Sequence, residues 1–519
     1  MKRFLVLVLT LALVLSTGLS AHGETVEYKD TILIAVNSDQ TTLDPHDNRS
    51  NTIVLSQIFN GLVRRDMENK LVADLAESWE VSADELVWTF HLKKGIKFHN
   101  GVEFTARDVK ASIDRTIDPV NTRVTTAAMT FIKECNVIDD YTVEFVTEKP
   151  VGPFLQTLAG NLGGRIMCAD VIEQYGADED FGFTPESVIG TGPYQLTAWE
   201  RGETITFEAF DDCFMGQPKT KNVVFHVMTD EAARGIAIES GQVDICFRLG
   251  AGDAGRLKDA PGMRVMLADS HGLHMVLFNR SRPLLDDPRV RQAIIYSTDT
   301  TSLVEALYSD LGETPCVAPC SPLYFGHHDM GVQPYDVEKA KALLAEAGYP
   351  DGIDIKIMTS PTYNRAVQMF EILAAQMADA NIRAEIVVLE SAAFSASVAS
   401  KNPEDKPWDM WLTGMGNMIL DFNEVRNAFR TTAEGTTEPN GSFYSNAEFD
   451  ELIDLGAYST DDAVRLEAYK RCSEILWLED PSALYVNYRK SVNGVRDTVE
   501  NFTCNAGTES NLFEVVVRK

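Results

Sequence analysis

The chain has 519 residues, 45% of them hydrophobic, with 77 acidic against 46 basic residues and a formal net charge of -31. That length exceeds one hydrophobic core and suits two or three lobes. The acidic balance argues against nucleic acid or an anionic membrane surface as partner, because both are held by basic patches.

Residues 1–23 read as a secretory signal. Lys2 and Arg3 form the charged start, and Phe4 to Leu15 is an apolar run too short to span a bilayer comfortably. Small residues follow, with cleavage expected after Ala21 or Gly23. No cysteine lies among them, so no lipid anchor is expected and the mature chain should be periplasmic or secreted. The eight cysteines are Cys135, Cys168, Cys213, Cys246, Cys316, Cys320, Cys472 and Cys504. An exported protein can form disulfides. Cys316 and Cys320 could pair locally, with free buried thiols as the equal alternative, and no cysteine or histidine pairs stand at zinc spacing.

Thr31 to Val36 is a β-branched strand that runs into the polar loop from Asn37 to Thr42. Loops at such strand ends commonly carry binding groups. Helical periodicity follows from Ile53 to Phe59. Trp79, Val81, Val87, Phe90 and Leu92 predict a hairpin around Ser82-Ala83-Asp84. Thr105 followed by Asp108 is a capping box that opens a helix. Tyr141 to Val146 is a strand, broken off by Pro150 and Pro153. Gly190-Thr191-Gly192-Pro193-Tyr194 is a tight turn into another strand. Thr229 to Gly241 reads as a helix with a glycine stop, feeding a strand from Val243 to Phe247. Asp287-Pro288 opens a helix to Tyr296, and Asp336 caps one through Ala347 that Gly348 closes. A helix from Tyr363 to Ala380 leads to a strand from Ala384 to Leu389, a helix spans Asp461 to Leu478, and a strand Ala483 to Tyr488. Lys401–Lys406 and Thr431–Gly441 read as surface loops. The mix is α/β.

Several motifs are weighed and set aside. Gly250-Ala251-Gly252-Asp253-Ala254-Gly255 fits the dinucleotide fingerprint literally, but Pro261-Gly262 leaves too little helix and Asp253 would oppose phosphate. His327-His328-Asp329 has no third ligand at metal spacing. His46 and His99 read as structural, and Trp408/Trp411 and Tyr485/Tyr488 as core. No G-x-S-x-G elbow or P-loop occurs. No catalytic residue, metal site or cofactor is assigned.

The segment Leu75 to Ile113 resembles, very specifically, the family of extracytoplasmic solute-binding proteins that serve oligopeptide, dipeptide, nickel and related ATP-binding-cassette importers. Leu43-Asp44-Pro45-His46, Ile58-Phe59-Asn60-Gly61-Leu62, the turn at Gly190, Ser240-Gly241-Gln242-Val243-Asp244, Phe278-Asn279 with Asp287 to Ala293, and Tyr335 to Gly352 are similar to further blocks of it, in order. The resemblance implies a two-lobed periplasmic-binding-protein fold, type II or cluster C-like. Lobe I would comprise residues 24–58, 186–277 and 487–519, with an extra subdomain at 59–185, and lobe II residues 278–486. It also implies a monomer that binds ligand by hinge closure, does no chemistry, and delivers the ligand to an inner-membrane permease with its ATPase. A co-receptor with the same fold is the second reading, and a secreted hydrolase the third.

Dipeptide-binding relatives hold the peptide carboxylate with an Arg and its amine with an Asp. Here Ser360 and Met418 fall at those positions, so both anchors are missing and Arg365 is the nearest alternative cation. A peptide, or a non-peptide solute such as an oligosaccharide or metal chelate, is the expected cargo. The candidate contacts are position-based. They are Ser38, Gln40 and Thr41 in the first loop, and His271 and His274 at the crossover. Ser360, Tyr363 and Arg365 follow, with Met415, Asn417, Met418 and Asp421 in the last loop.

Overall fold

The computed structural model describes residues 27–47, 52–118, 121, 129–160, 163–361, 363, 365–400, 402–416, 419–431, 441–504 and 512–519. The proposed signal, Asn417, Met418 and most of the 431–441 loop therefore lie outside the described residues.

Two long antiparallel strands, Met263–Phe278 and Ala483–Arg496, run through the centre of an 11-stranded mixed sheet. On one side stand Ile245–Cys246, Thr31–Val36, Asn222–Val227, Thr204–Ala209 and Tyr194–Glu200. On the other stand Met410–Met415, Ile353–Thr359 and Ile382–Val388. The two central strands thus join an N-terminal half of the sheet to a C-terminal half. Their register slips between Asp269 and Leu273, so the residues from Ser270 to Gly272 form an irregularity midway along the pair. A bulge bends a strand and breaks its ladder locally.

A separate 4-stranded sheet, built from Ala76–Val81, Val87–Leu92, Thr142–Thr147 and Ile132–Asp139, stands apart from the main one. It contains the hairpin expected from the sequence. The helix Ala106–Ile117 follows, and Asp108 Oδ2 accepts from the Thr105 amide at 2.8 Å as the capping box requires. Its other oxygen accepts from Ala169 N at 2.8 Å and so ties the next helix to the first.

Several elements differ in extent from the sequence reading. The helix expected from Ile53 to Phe59 is only Thr52–Leu55. The carbonyls of Gln57 and Ile58 are taken instead by the amides of Tyr194 and Gly192, at 3.0 and 2.8 Å. The glycine turn packs so tightly there that a Cβ on Gly190 would lie 2.0 Å from the Ile58 carbonyl oxygen. The strand expected from Val243 to Phe247 is Ile245–Cys246, and the helix expected from Tyr363 is Ala366–Ala378, begun by Arg365 in a left-handed conformation with φ 58°. The helix Asp462–Glu474 ends in a π-helical turn, Ile475–Glu479. The strand beginning at Ala483 does not stop at Tyr488 but continues to Arg496. Lys406 is not on a surface loop: it is buried and donates to the carbonyls of Val398 and Gly441 at 3.0 and 2.8 Å, under the Trp411 ring. Burial pushes its ammonium down to about 8. All eight cysteines are free thiols, with Cys316 and Cys320 both buried. No helix among the described residues is long and apolar enough to cross a membrane.

Candidate functional site

The strands Ile353–Thr359, Ile382–Val388 and Met410–Met415 are parallel, so the loops that follow them share one edge of the sheet. Ligands of open α/β sheets gather at such carboxyl ends. The same edge meets the irregular midpoint of the central pair, because Met415 is in register with Leu273. Gly416 then packs on the carbonyl of His271, where a Cβ would lie 2.5 Å from the oxygen.

His274, Tyr363 and Arg365 are brought together here. The His274 ring lies 6.3 Å from Tyr363 and 6.4 Å from Tyr308, and Tyr363 meets Phe394 edge-on at 5.8 Å. His274 Nδ1 is 3.3 Å from Asn487 Oδ1, and the Asn487 amide donates to Glu313 Oε2 at 2.5 Å. Burial, helped by the Arg489 charge, pushes His274 down to about 4, so its imidazole is neutral at physiological pH. Burial raises the Glu313 carboxyl to about 7, against the opposing pull of Arg489 and Asn487. Arg365 holds Asp310 with two bonds of 2.9 and 2.8 Å and lies over the Tyr308 ring at 5.9 Å. It is therefore already committed to a carboxylate and is no ready substitute for the missing peptide-carboxylate anchor.

Ser360 is fully buried at the end of its strand, 3.5 Å from the Ser391 hydroxyl. Met415 is buried at the same edge. His271 is half-buried within the irregular segment. Asp421 is placed elsewhere: it is fully buried, bonded to Arg465 at 2.6 Å and to the Tyr469 hydroxyl at 3.2 Å. An acid so enclosed is a core ion pair, and this corrects its reading as a ligand contact. Ser38 and Thr41 are exposed and Gln40 is buried, in the loop after Thr31–Val36. Between them Asp39 is fixed by Trp199 Nε1 at 3.0 Å and Gly202 N at 2.7 Å. Thr31–Val36 and Ile245–Cys246 are parallel neighbours, so that loop and the segment from Phe247 leave the sheet at a common edge.

The outer edge of the strand Met410–Met415 is also informative. Ile353–Thr359 pairs with it only at Met410 and Trp411, so among the described residues no strand covers the edge from Leu412 to Met415. Such an edge offers backbone donors and acceptors to an extended segment.

Sequence reasoning missed Tyr308, Glu313, Asn487 and Arg489. The alternation of Asn487, Arg489, Ser491 and Asn493 on one face of a strand was the available signal. His46 and His99 are structural as expected. His46 accepts from Arg115 at 2.8 Å and its other nitrogen meets the Arg165 carbonyl at 2.9 Å, while His99 meets the Gly192 carbonyl at 3.0 Å. The segment from Gly250 forms only a short helix, Ala251–Leu257. Among the described residues, no cluster of three or more His, Cys, Asp or Glu is placed to hold a metal.

The sequence profile of the bacterial extracellular solute-binding proteins, family 5 middle region, matches residues 70–437. The glutathione-binding protein GsiB of Escherichia coli O1:K1 / APEC is 29% identical over 454 residues, which is 87% of each chain. Of solved structures, HbpA2 from Haemophilus parasuis matches with a TM-score of 0.83 at 24% identity, over 94% of this chain and 100% of its own. The PBP AgaA of A. tumefaciens R10, in complex with agropinic acid, matches with a TM-score of 0.73 at 26% identity, over 94% of this chain and 99% of its own.

Proposed function

Because the chain belongs to the bacterial extracellular solute-binding proteins of family 5, we propose that it captures a peptide or peptide-like solute between two lobes and hands it to an ATP-driven permease. The observation that carries this reading is the central strand pair. Among the described residues, two strands alone join the halves of the sheet, and their ladder is broken midway at Ser270–Gly272, where a hinge can bend with least loss of hydrogen bonds. On this reading residues 24–58, 186–277 and 487–519 form lobe I, 59–185 its extra subdomain, and 278–486 lobe II. The protein works as an exported monomer, without catalysis.

The solute would lie between the loop Ser38–Thr41 and the cluster of His271, His274, Tyr363 and Met415. The uncovered edge from Leu412 to Met415 supports an extended, peptide-like ligand. So does the glutathione-binding relative. The loss of the dipeptide carboxylate anchor at Ser360 argues against dipeptides as the preferred cargo.

A thermal-shift screen of the purified protein against dipeptides, tripeptides, glutathione, oligosaccharides and nickel chelates tests this. At 100 times its dissociation constant a ligand should add about 2.7 kcal/mol to stability. We expect tripeptides or glutathione to raise the melting temperature. A shift by oligosaccharides alone would overturn the peptide-like reading, and chemical turnover of any ligand would overturn the binding-only role.

A further inference from the structure

His274 carries one polar atom that the fold does not use. The residue stands in a cross-strand row, with Asn487 of Ala483–Arg496 on one side and Gly414 of Met410–Met415 on the other. Side chains in such a row leave the same face of the sheet. Asn487 takes one flank of the imidazole. Its Oδ1 lies 3.3 Å from Nδ1, while its amide nitrogen donates to Glu313 Oε2. A carboxylate oxygen accepts, so the amide is held with its nitrogen towards Glu313 and its oxygen towards His274. That oxygen can only accept in turn. The proton of the neutral ring is therefore on Nδ1, and Nε2 presents a bare lone pair.

The other flank is open. Gly414 is exposed and has no side chain, and a Cβ added there would meet nothing nearer than the Leu273 carbonyl oxygen at 3.6 Å. Beyond Gly414 no described strand covers the edge. The His274 side chain is only 8% exposed. Its Nε2 has no partner among the described residues, yet it is not sealed from solvent. A largely buried acceptor in that state is satisfied only by water or by a ligand. The walls beside it are the rings of Tyr308 and Tyr363, and the Arg365 guanidinium is bonded to Asp310 instead of turning to the ring.

Resting on the solute-binding reading, we propose that His274 Nε2 accepts a hydrogen bond from an uncharged polar side group of the ligand, a hydroxyl or carboxamide, that reaches it across Gly414 from the uncovered strand edge. Asn487 and Glu313 are positioning residues that fix the ring tautomer. A ligand carboxylate has no proton to donate to Nε2. An ammonium would stand close to the charge of Arg489, which leaves the same face as Asn487. An aliphatic group would fill the space but strand the lone pair, and a site built around a hydrogen bond rejects the analogue that lacks it.

The test measures calorimetric affinity for Ala-Thr-Ala beside its near-isostere Ala-Val-Ala, and for Ala-Asn-Ala beside Ala-Asp-Ala, with the varied residue also moved to the first and third positions. The wild type, His274→Phe and His274→Gln are compared, and circular dichroism verifies that the variants fold. We expect the wild type to prefer threonine to valine, and asparagine to aspartate, by about tenfold at one of the positions. His274→Phe should erase that preference, and His274→Gln, which keeps an acceptor, should restore part of it. Nitrogen NMR of the wild type gives a second reading that needs no variant: Nδ1 should carry the proton, and the threonine peptide should move the Nε2 signal. A proton on Nε2 would overturn the proposal. So would equal affinity for the threonine and valine peptides at all three positions, which leaves the solute-binding role intact. If no tripeptide binds the wild type, the peptide-like reading fails and the proposal with it.

Discussion

At the scale of single residues, burial sets the pH response. Glu313 is raised from 4.5 to about 7 by burial. Its folded pKa lies above its unfolded one, so its contribution is fully present below pH 4.5 and is lost as pH rises through 7. Glu313→Gln keeps the neutral form at every pH. We expect it to exceed the wild type in stability at pH 8 by about 2 kcal/mol, after allowance for partial contact with water, and to match it at pH 4; urea melts at both pH values check this. His46, His99 and His274 act in the opposite sense. All three are pushed down to about 4 by burial. Each is neutral in the fold, and the stability this provides is lost as pH falls from 6.5 towards 4. Asp421 and Arg465 illustrate another consequence of burial. With both side chains almost fully buried, Asp421→Asn should cost about 3 kcal/mol by stranding the guanidinium, whereas Asp421→Asn combined with Arg465→Met should recover part of that loss in the same denaturation assay. The structural roles of His46 and His99 were legible in the sequence, whereas the environments of Glu313, His274 and Asp421 were not. Asp421 looked like a loop acid near a binding position, and only the distant Arg465 and Tyr469 make it structural. Lys406 was misread for the same reason, since its burial depends in part on Gly441, 35 residues further along the chain.

At the scale of elements, local chemistry was largely readable and extent was not. The caps at Asp108, Asp287 and Asp336 mark their helices because a side-chain oxygen meets an amide within three residues. The segment after the short helix Thr52–Leu55 is a different matter, because the carbonyls of Gln57 and Ile58 are held by the amides of Tyr194 and Gly192, more than a hundred residues on. Gly190→Ala tests that junction. Its methyl group would overlap the Ile58 carbonyl, so the melting temperature should drop by several degrees, a loss of about 2 kcal/mol. An unchanged melting temperature would mean that the turn can move away from the helix end. The strand from Ala483 was cut short at Tyr488 because Arg489 and Lys490 interrupt its apolar residues. In the sheet these two leave opposite faces: Lys490 pairs with Asp269, while Arg489 stands on the row of Asn487 and Asn493. A polar face within a central strand is what a ligand-lined cleft needs, so the local rule fails where function is expected.

At the scale of the molecule, residues 59–185 also touch the C-terminal part of the chain away from the central strand pair. Arg65 donates to the Ile419 carbonyl at 2.5 Å, Gly152 N to the Ala457 carbonyl at 2.9 Å, and Lys149 lies 5.0 Å from the centre of the Tyr458 ring. If these contacts form on closure, Gly152→Leu, whose Cβ would lie 2.5 Å from Arg465 Nε, should weaken ligand binding at least tenfold while leaving the unliganded melting temperature nearly unchanged. A melting temperature that falls as far as affinity does would make the contact a permanent part of the fold. Family membership was legible from ordered motifs spread along the chain. The cargo was not, because the candidate contacts are side chains drawn from segments far apart in the chain, and single-sequence patterns do not show which of them meet.

The measurement that bears most directly on this account is small-angle X-ray scattering of the purified protein, with and without a saturating solute identified in the thermal-shift screen. A hinge-closing binding protein should contract, with a smaller radius of gyration in the bound state at unchanged molecular mass. A ligand that binds tightly yet leaves the scattering curve unaltered would contradict closure about Ser270–Gly272 and with it the proposed mechanism.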